Sequence, residues 1–161
     1  MNSLKSNDYR HHFLKIVDEL RAALGYSIRS EDESEGNEIA MEMMYGGFDF
    51  AVVHSKTQKE NTILLECVFG PVPDGRAELI MKRLLEMNAA LAELDGSAFS
   101  LDQSRQLLIY TLRIELNQLD GVMHLRKMTE TVWHGRRWLE TRYMNSPEAS
   151  SNELMNPMQL A

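Results

Sequence analysis

One cysteine and five histidines are the side chains of this sequence considered first for nucleophilic or metal chemistry. Cys67 could act as a nucleophile, but it alternates with Leu65 and Phe69 on an apolar strand, and no residue close in sequence would serve as its base. A thiol in such surroundings behaves as a small buried hydrophobe. We therefore predict a structural role for Cys67, and a small α+β enzyme using Cys67 stays an alternative hypothesis.

The histidines are spaced unfavourably for a metal site, which needs converging ligands. His11 and His12 are adjacent, so on a helix their side chains point about 100° apart. His124 and His134 are ten residues apart rather than at the i,i+4 spacing of a chelating pair, and His54 stands alone at a strand end. We predict no metal site, no cofactor and no catalytic residue.

Two glycine-rich stretches could in principle cradle a phosphate. Gly46-Gly47 is not followed by a helix, and the stretch from Gly70 to Gly75 holds two prolines without the lysine or threonine that phosphate binding favours. Both are predicted to be turns.

The composition is that of one acidic globular domain. The chain has 161 residues, of which 43% are hydrophobic and 25% charged, and its net charge of −7 argues against binding nucleic acid or an anionic membrane. No apolar run approaches the roughly 18 residues of a membrane span, and the first residues lack the apolar centre of a signal peptide. With a single cysteine there is no intrachain disulfide, so we expect a cytoplasmic protein that does not insert into membranes.

Hydrophobic periodicity predicts the order α-β-β-β-β-α-β-β-α, an α+β fold with a mainly antiparallel twisted sheet and helices packed on it. Asp74 and either Asn117 or Asp120 are the predicted N-caps of the last two helices. Residues 1–144 would form a single domain and 145–161 a mobile C-terminal tail. The predicted helices are Asp8–Leu24, Gly75–Leu94 and a last helix to about Tyr143; the predicted strands are 26–29, 39–45, 48–54, 62–69, 98–102 and 107–116.

The helix Gly75–Leu94 has an apolar arc about 180° wide, whereas a helix lying on one sheet needs little more than 100°. The surplus apolar surface could pack on another helix of the chain or, as we favour, on the same helix of a second subunit. Asn88 lies near the middle of this arc. Its amide either bonds to backbone at the sheet or fixes the register of two apolar helices at a subunit contact, which we prefer. The predicted dimer-interface residues are Met81, Leu84, Leu85, Asn88 and Ala92.

The strands 39–45, 48–54 and 62–69 carry apolar residues on both faces, so three helices would leave apolar strand surface uncovered. Such a surface marks a protein-binding site, and an open sheet edge can accept an added strand. Trp133 and Trp138 lie about 140° apart on the last helix, so one could be buried and the other exposed. The sequence does not decide which.

Three stretches, ILLECVFGPVP, LLEMNAALAELDG and AFSLDQSRQLLIYTLRIEL, followed by a long helix ending in HGRRWLE, resemble the class I chaperones of type III secretion, the Tir chaperone (CesT) family. The resemblance covers about Tyr9 to Leu139. It implies a homodimer without catalytic activity that binds the N-terminal segment of a secreted effector or translocator in extended form, keeps it soluble and export-competent, and delivers it to the secretion ATPase.

The family offers no fixed binding motif, so the predicted effector-binding residues come from pattern alone. A regulatory adaptor on the same scaffold is the alternative function. The predicted effector-binding residues are Phe13, Ile28, Met41, Met43, Met44, Phe50 and Val53.

Overall fold

The computed structural model describes residues 6–26, 38–55, 61–118 and 120–144. These residues form three helices and five strands, and a short 3-10 turn, Leu116–Gln118, joins the last strand to the last helix. The elements in chain order are α1 (Ser6–Ala23), β1 (Glu38–Tyr45), β2 (Phe48–Ser55), β3 (Thr62–Pro71), α2 (Ala77–Leu94), β4 (Ala98–Asp102), β5 (Leu107–Glu115) and α3 (Gly121–Thr141).

The five strands make one antiparallel sheet in the order β1-β2-β3-β5-β4. Gly46 and Gly47 form the two-residue turn between β1 and β2, and both have positive φ, which glycine adopts without strain. The register shifts between Val68 and Gly70, where β3 reaches the Gly-Pro stretch that ends it. The α+β fold with a mainly antiparallel sheet is confirmed.

All three helices contact the same face of the sheet, here called the inner face. Phe13 of α1 stacks on His54 of β2, Gly135 of α3 lies against Phe48, and Met87 of α2 lines a groove over Tyr110. The alternate strand residues predicted to form the stronger apolar face are buried here, which explains why period-two patterning identified these strands. They include Ile39, Met41, Met43, Phe50, Val52, Ile63, Leu65, Cys67, Phe69, Leu108, Tyr110, Leu112 and Ile114.

Several details differ from the sequence predictions. Asp74 is not the N-cap of α2, because that helix begins later and Arg76 at its start makes no side-chain capping bond. The Asp120 cap is confirmed, since its carboxylate accepts a hydrogen bond from the Met123 N–H at 2.7 Å. The predicted strand 26–29 lies, apart from Tyr26, outside the described residues, as does the predicted tail 145–161.

The buried side of α3 differs from the side that apolar periodicity alone indicates. Periodicity would turn Val122 and Leu139 inward, but both are exposed. The side that packs inward includes polar and small residues, which a search for apolar periodicity misses. Its buried members are His124, Met128, Thr131, Val132, Gly135 and Trp138. Within the described ranges, no helix has both the length and the hydropathy needed to cross a bilayer.

Candidate protein-binding surfaces

The structure separates the seven predicted effector-binding residues into three groups. Phe13, Met41, Met43 and Phe50 were predicted to meet the effector, but they are buried under the helices on the inner face. That prediction was wrong for these four residues, because the more apolar strand face builds the core and is not available to a partner. Ile28 lies outside the described residues.

The remaining two candidates, Met44 and Val53, lie on the opposite or outer face of the sheet. Cross-strand pairing places Ala40, Val53 and Leu64 in one row, while Val68 pairs with Ile109 further along the sheet. Their side chains are partly or fully exposed, and Met44 is 63% exposed. The described helices all pack on the inner face, so these residues form an apolar surface that none of those helices covers.

Charged side chains interrupt this apolar surface. Glu42, Asp49 and Glu66 stand among the apolar residues of β1, β2 and β3, while Arg113 pairs with Leu64 across the β3–β5 ladder. The centre of the outer face is therefore acidic and its β5 side carries an arginine. Open depressions run across it, one bordered by Val53, Leu64 and Arg113 and another by Ala51, Val68 and Ile109.

The strand β1 is one edge of the described sheet, since it pairs only with β2. A two-residue turn makes Tyr45 and Phe48 a hydrogen-bonded pair, so the backbone groups of Ala40, Glu42 and Met44 point away from β2. The hydroxyl of Tyr26 donates to the Met44 carbonyl at 3.3 Å. Such outward-facing groups are what an added strand pairs with.

The predicted dimer residues on α2 occupy different environments. Leu85 is 69% exposed and Ala92 is exposed, while Met81 and Asn88 are partly buried. Leu84 is only 3% exposed, because it packs with Ile80 into the core of its own chain. The structure therefore removes Leu84 from the predicted contact surface, and the contact itself stays a prediction.

Asn88 makes two backbone hydrogen bonds at the other sheet edge, β4. Its Nδ2 donates to the Phe99 carbonyl at 2.9 Å, and its Oδ1 accepts from the Phe99 N–H at 2.7 Å. A partly buried amide needs such partners, since an unpaired one costs about 1–3 kcal/mol. Of the two explanations considered for Asn88, bonding to backbone at the sheet is thus observed. Its preferred role in a subunit contact stays a prediction.

A groove of about 340 Å³ separates α2 from α3 on the inner side. Phe99 and Tyr110 contribute to it from the sheet, and Trp133 lines it from α3. Trp133 is 44% exposed and its ring lies 5.7 Å from the Arg137 guanidinium, whereas Trp138 is fully buried. The structure thus answers which tryptophan is exposed, a question that depends on how α3 is rotated against the sheet.

Burial opposes the ionised forms of Cys67, His124 and His134. Cys67 is fully buried, and burial together with the nearby Asp49 carboxylate raises the pKa of its thiol, so thiolate formation is disfavoured. Burial lowers the pKa of His124 to about 4 and also lowers that of His134. In the described part of the chain, no three His, Cys, Asp or Glu side chains cluster as metal ligands would.

The family model of the Tir chaperone protein (CesT) family matches residues 44–134. The chain belongs to this family. The matched span runs from the end of β1 through the sheet and α2 into α3, and it confirms the family and the type III secretion chaperone class predicted from the sequence. A comparison with curated protein sequences finds no match.

Several solved structures share the CesT-family fold seen here. A chain of the ExsC–ExsE complex is similar with a TM-score of 0.65 and 15% identity, covering 85% of this chain and 98% of that one. A chain of the HopA1–SchA chaperone–effector complex gives 0.59 and 16%, with coverages of 86% and 99%. The Yersinia pestis type III secretion chaperone SycH, in complex with a stable fragment of YscM2, gives 0.54 and 12%, with coverages of 78% and 98%.

Proposed function

We propose that this protein is a cytoplasmic, non-enzymatic type III secretion chaperone that works as a homodimer. It binds the N-terminal segment of a secreted effector or translocator in extended form and presents it, soluble and export-competent, to the secretion ATPase. The observation that carries the proposal is the outer sheet face, an apolar strand surface left uncovered by the described helices in a chain of the CesT family. Similar chains come from a chaperone–effector complex and from a chaperone bound to a protein fragment.

The outer face and the β1 edge together suit an extended segment. A peptide paired with the outward backbone groups of Ala40 and Glu42 would continue the sheet, and its alternate side chains would lie on the side of Val53 and Leu64. The carboxylates of Glu42, Asp49 and Glu66 favour basic side chains in that segment. The expected cargo sequence therefore alternates apolar residues with polar or basic ones.

The experiment is co-expression with the candidate effector and measurement of the complex that co-purifies. The double variant Val53→Asp, Val68→Asp places two charges on the outer face and should abolish the complex while leaving the fold intact, because both side chains are only partly buried. Circular dichroism and sedimentation would establish that the variant folds and assembles as the parent protein does.

The control is Val122→Asp, measured beside each of the single variants Val53→Asp and Val68→Asp, because it puts the same single charge on an exposed valine of α3. It should leave the complex unchanged. Equal binding by the outer-face variant and the control would contradict the proposed surface. A partner that proved to be a regulatory protein that is not exported would favour the adaptor alternative, which uses the same scaffold.

A further inference from the structure

The β1 edge of the described sheet is not open along its whole length. Backbone groups of Ala40, Glu42 and Met44 face away from β2, but the Met44 carbonyl already accepts a hydrogen bond from the Tyr26 hydroxyl at 3.3 Å. A donor to an outward-facing carbonyl lies on the side from which an added strand would approach, about 4.8 Å away from β1. Tyr26 and an added strand therefore compete for the space beside Met44.

The end of α1 holds Tyr26 in this position. The Tyr26 N–H donates to the Arg21 carbonyl at 2.8 Å, and the Gly25 N–H donates to the Ala22 carbonyl at 3.2 Å. These two bonds, together with the positive φ of 77° at Gly25, form the pattern in which a left-handed glycine closes a helix. Tyr26 therefore reaches β1 from a backbone that the helix has already fixed.

We propose that Tyr26 ends the pairing of the effector segment along β1. This inference rests on the proposed function, in which an extended segment adds to that edge. The segment pairs with Ala40 and Glu42 and ends before Met44, because the Tyr26 side chain fills the next position of the ladder. A fixed end sets the register of the segment, and a shift by one residue would turn its apolar side chains away from the outer face.

The position of Tyr26 also limits the length of the segment that pairs. Outward backbone groups recur at every second residue, and those of β1 before Met44 belong to Glu38, Ala40 and Glu42. A strand opposite these residues is about five residues or 17 Å long, at about 3.4 Å per residue. The edge therefore takes a short effector strand, whose chain must leave the sheet beside Tyr26.

Hydrogen exchange of the chaperone's own amides tests the proposal, because the N–H and carbonyl of one strand residue point to the same side. When the effector binds the parent protein, the N–H groups of Ala40 and Glu42 should become protected, while that of Met44 should not. In Tyr26→Phe, no hydroxyl holds the ring at the Met44 carbonyl, so the protection should extend to the Met44 N–H. Effector binding should become about two- to tenfold tighter, which is the net value of one hydrogen bond.

The matched control is Tyr45→Phe, a loss of the same hydroxyl on β1 itself. The Tyr45 hydroxyl bonds to the Thr129 hydroxyl of α3 at 2.9 Å rather than to a carbonyl of β1. Its removal should leave the exchange of the Met44 N–H and the affinity for the effector as in the parent protein. Tyr26→Ala removes the ring as well and should extend the protection at least as far as Tyr26→Phe does, without disturbing the core, since Tyr26 is 43% exposed.

Two outcomes would overturn the role of Tyr26 alone. Protection of the Met44 N–H in the parent complex would mean that the effector displaces Tyr26. Protection that ends at Glu42 in both Tyr26 variants would mean that another feature ends the pairing. Failure of the proposed function gives a different result, since Ala40 and Glu42 would then stay unprotected when the effector is added, and both proposals would be wrong.

Discussion

The side-chain amide of Asn88 forms hydrogen bonds with both backbone groups of Phe99, and this local contact explains why an amide lies in the middle of an apolar arc. At the residue scale the sequence indicated that Asn88 needed a partner, but it could not name Phe99, because the partner lies on a strand whose position against α2 is set by tertiary packing. That limit did not affect Cys67, because alternation with Leu65 and Phe69 was enough to predict its burial.

Replacing Asn88 with alanine should lower the free energy of unfolding. The Phe99 N–H and carbonyl lose partners at about 1–3 kcal/mol, while the better helix propensity of alanine returns about 0.7 kcal/mol at most. Urea denaturation measures the difference. Glu93→Ala, at an exposed site on the same helix, should stay within about 0.5 kcal/mol of the parent protein. If Asn88→Ala were as stable as Glu93→Ala but had an altered dimer affinity, the main role of Asn88 would be in the subunit contact.

Buried His124 should make stability depend on pH. Burial lowers its pKa in the folded chain to about 4 from 6.5, so between these values the unfolded chain binds more protons and stability falls as the pH decreases. The fall approaches about 1.4 kcal/mol per pH unit for this one group. Neither ring nitrogen has a hydrogen-bond partner among the described residues, so His124→Leu should fold and show a shallower pH dependence.

Urea denaturation at pH 7 and pH 5 tests this prediction. His11→Leu, at an exposed position of α1, is the control measured in parallel. His134 is also largely buried and its pKa is lowered for the same reason, so part of the pH dependence should persist in the His124 variant. An unchanged difference between the two pH values would contradict the assignment to His124.

At the element scale, strands were easier to predict than helix faces. Alternation of more apolar and less apolar residues predicted which residues of β1, β2, β3 and β5 lie on the inner face, because a strand has only two faces. The side of α3 that packs inward could not be found in the same way, since Gly135 and Thr131 take part in it and carry little or no apolar signal. Four of the seven effector candidates were buried for a related reason: apolar patterning finds the core before it finds a binding surface.

Gly135 allows α3 to approach the β1–β2 hairpin. A Cβ at this position would lie 2.7 Å from the ring of Phe48, so Gly135→Ala should destabilise the protein. Overpacking costs about 1–3 kcal/mol and outweighs the helix propensity that alanine gains, about 1 kcal/mol. In urea denaturation, Gly135→Ala combined with Phe48→Leu should cost less than the sum of the single changes. Additive changes in the free energy of unfolding would show that contact with the Phe48 ring is not what excludes a side chain at position 135.

At the scale of the whole molecule, the sheet separates two kinds of surface. The helices cover its inner face, and its outer face presents apolar and acidic residues. The dimer prediction belongs to α2, whose exposed residues include Leu85 on one side and Leu79 on another, about 120° away.

Leu85→Asp should convert the proposed dimer to a monomer at micromolar concentration, because a charge buried without a partner opposes association. Leu79→Asp introduces the same charge on the same helix and should leave the dimer intact. Sedimentation equilibrium distinguishes the two. If both variants sediment like the parent protein, the contact does not use this side of α2, and if the parent protein itself is monomeric, the proposed homodimer is wrong.

The Asn88 contact has a consequence for how far an assembly can grow. A sheet with two open edges can be extended from both, and repeated extension leads to fibres. Here the amide of Asn88 already occupies the outward backbone groups of Phe99 on β4, whereas β1 offers such groups on Ala40 and Glu42 within the described sheet. Edge-to-edge pairing through β1 would therefore join two chaperone chains and stop, because the Phe99 groups that a third chain would need are already bonded, so the open β1 edge can bind a client without making the chaperone polymerise.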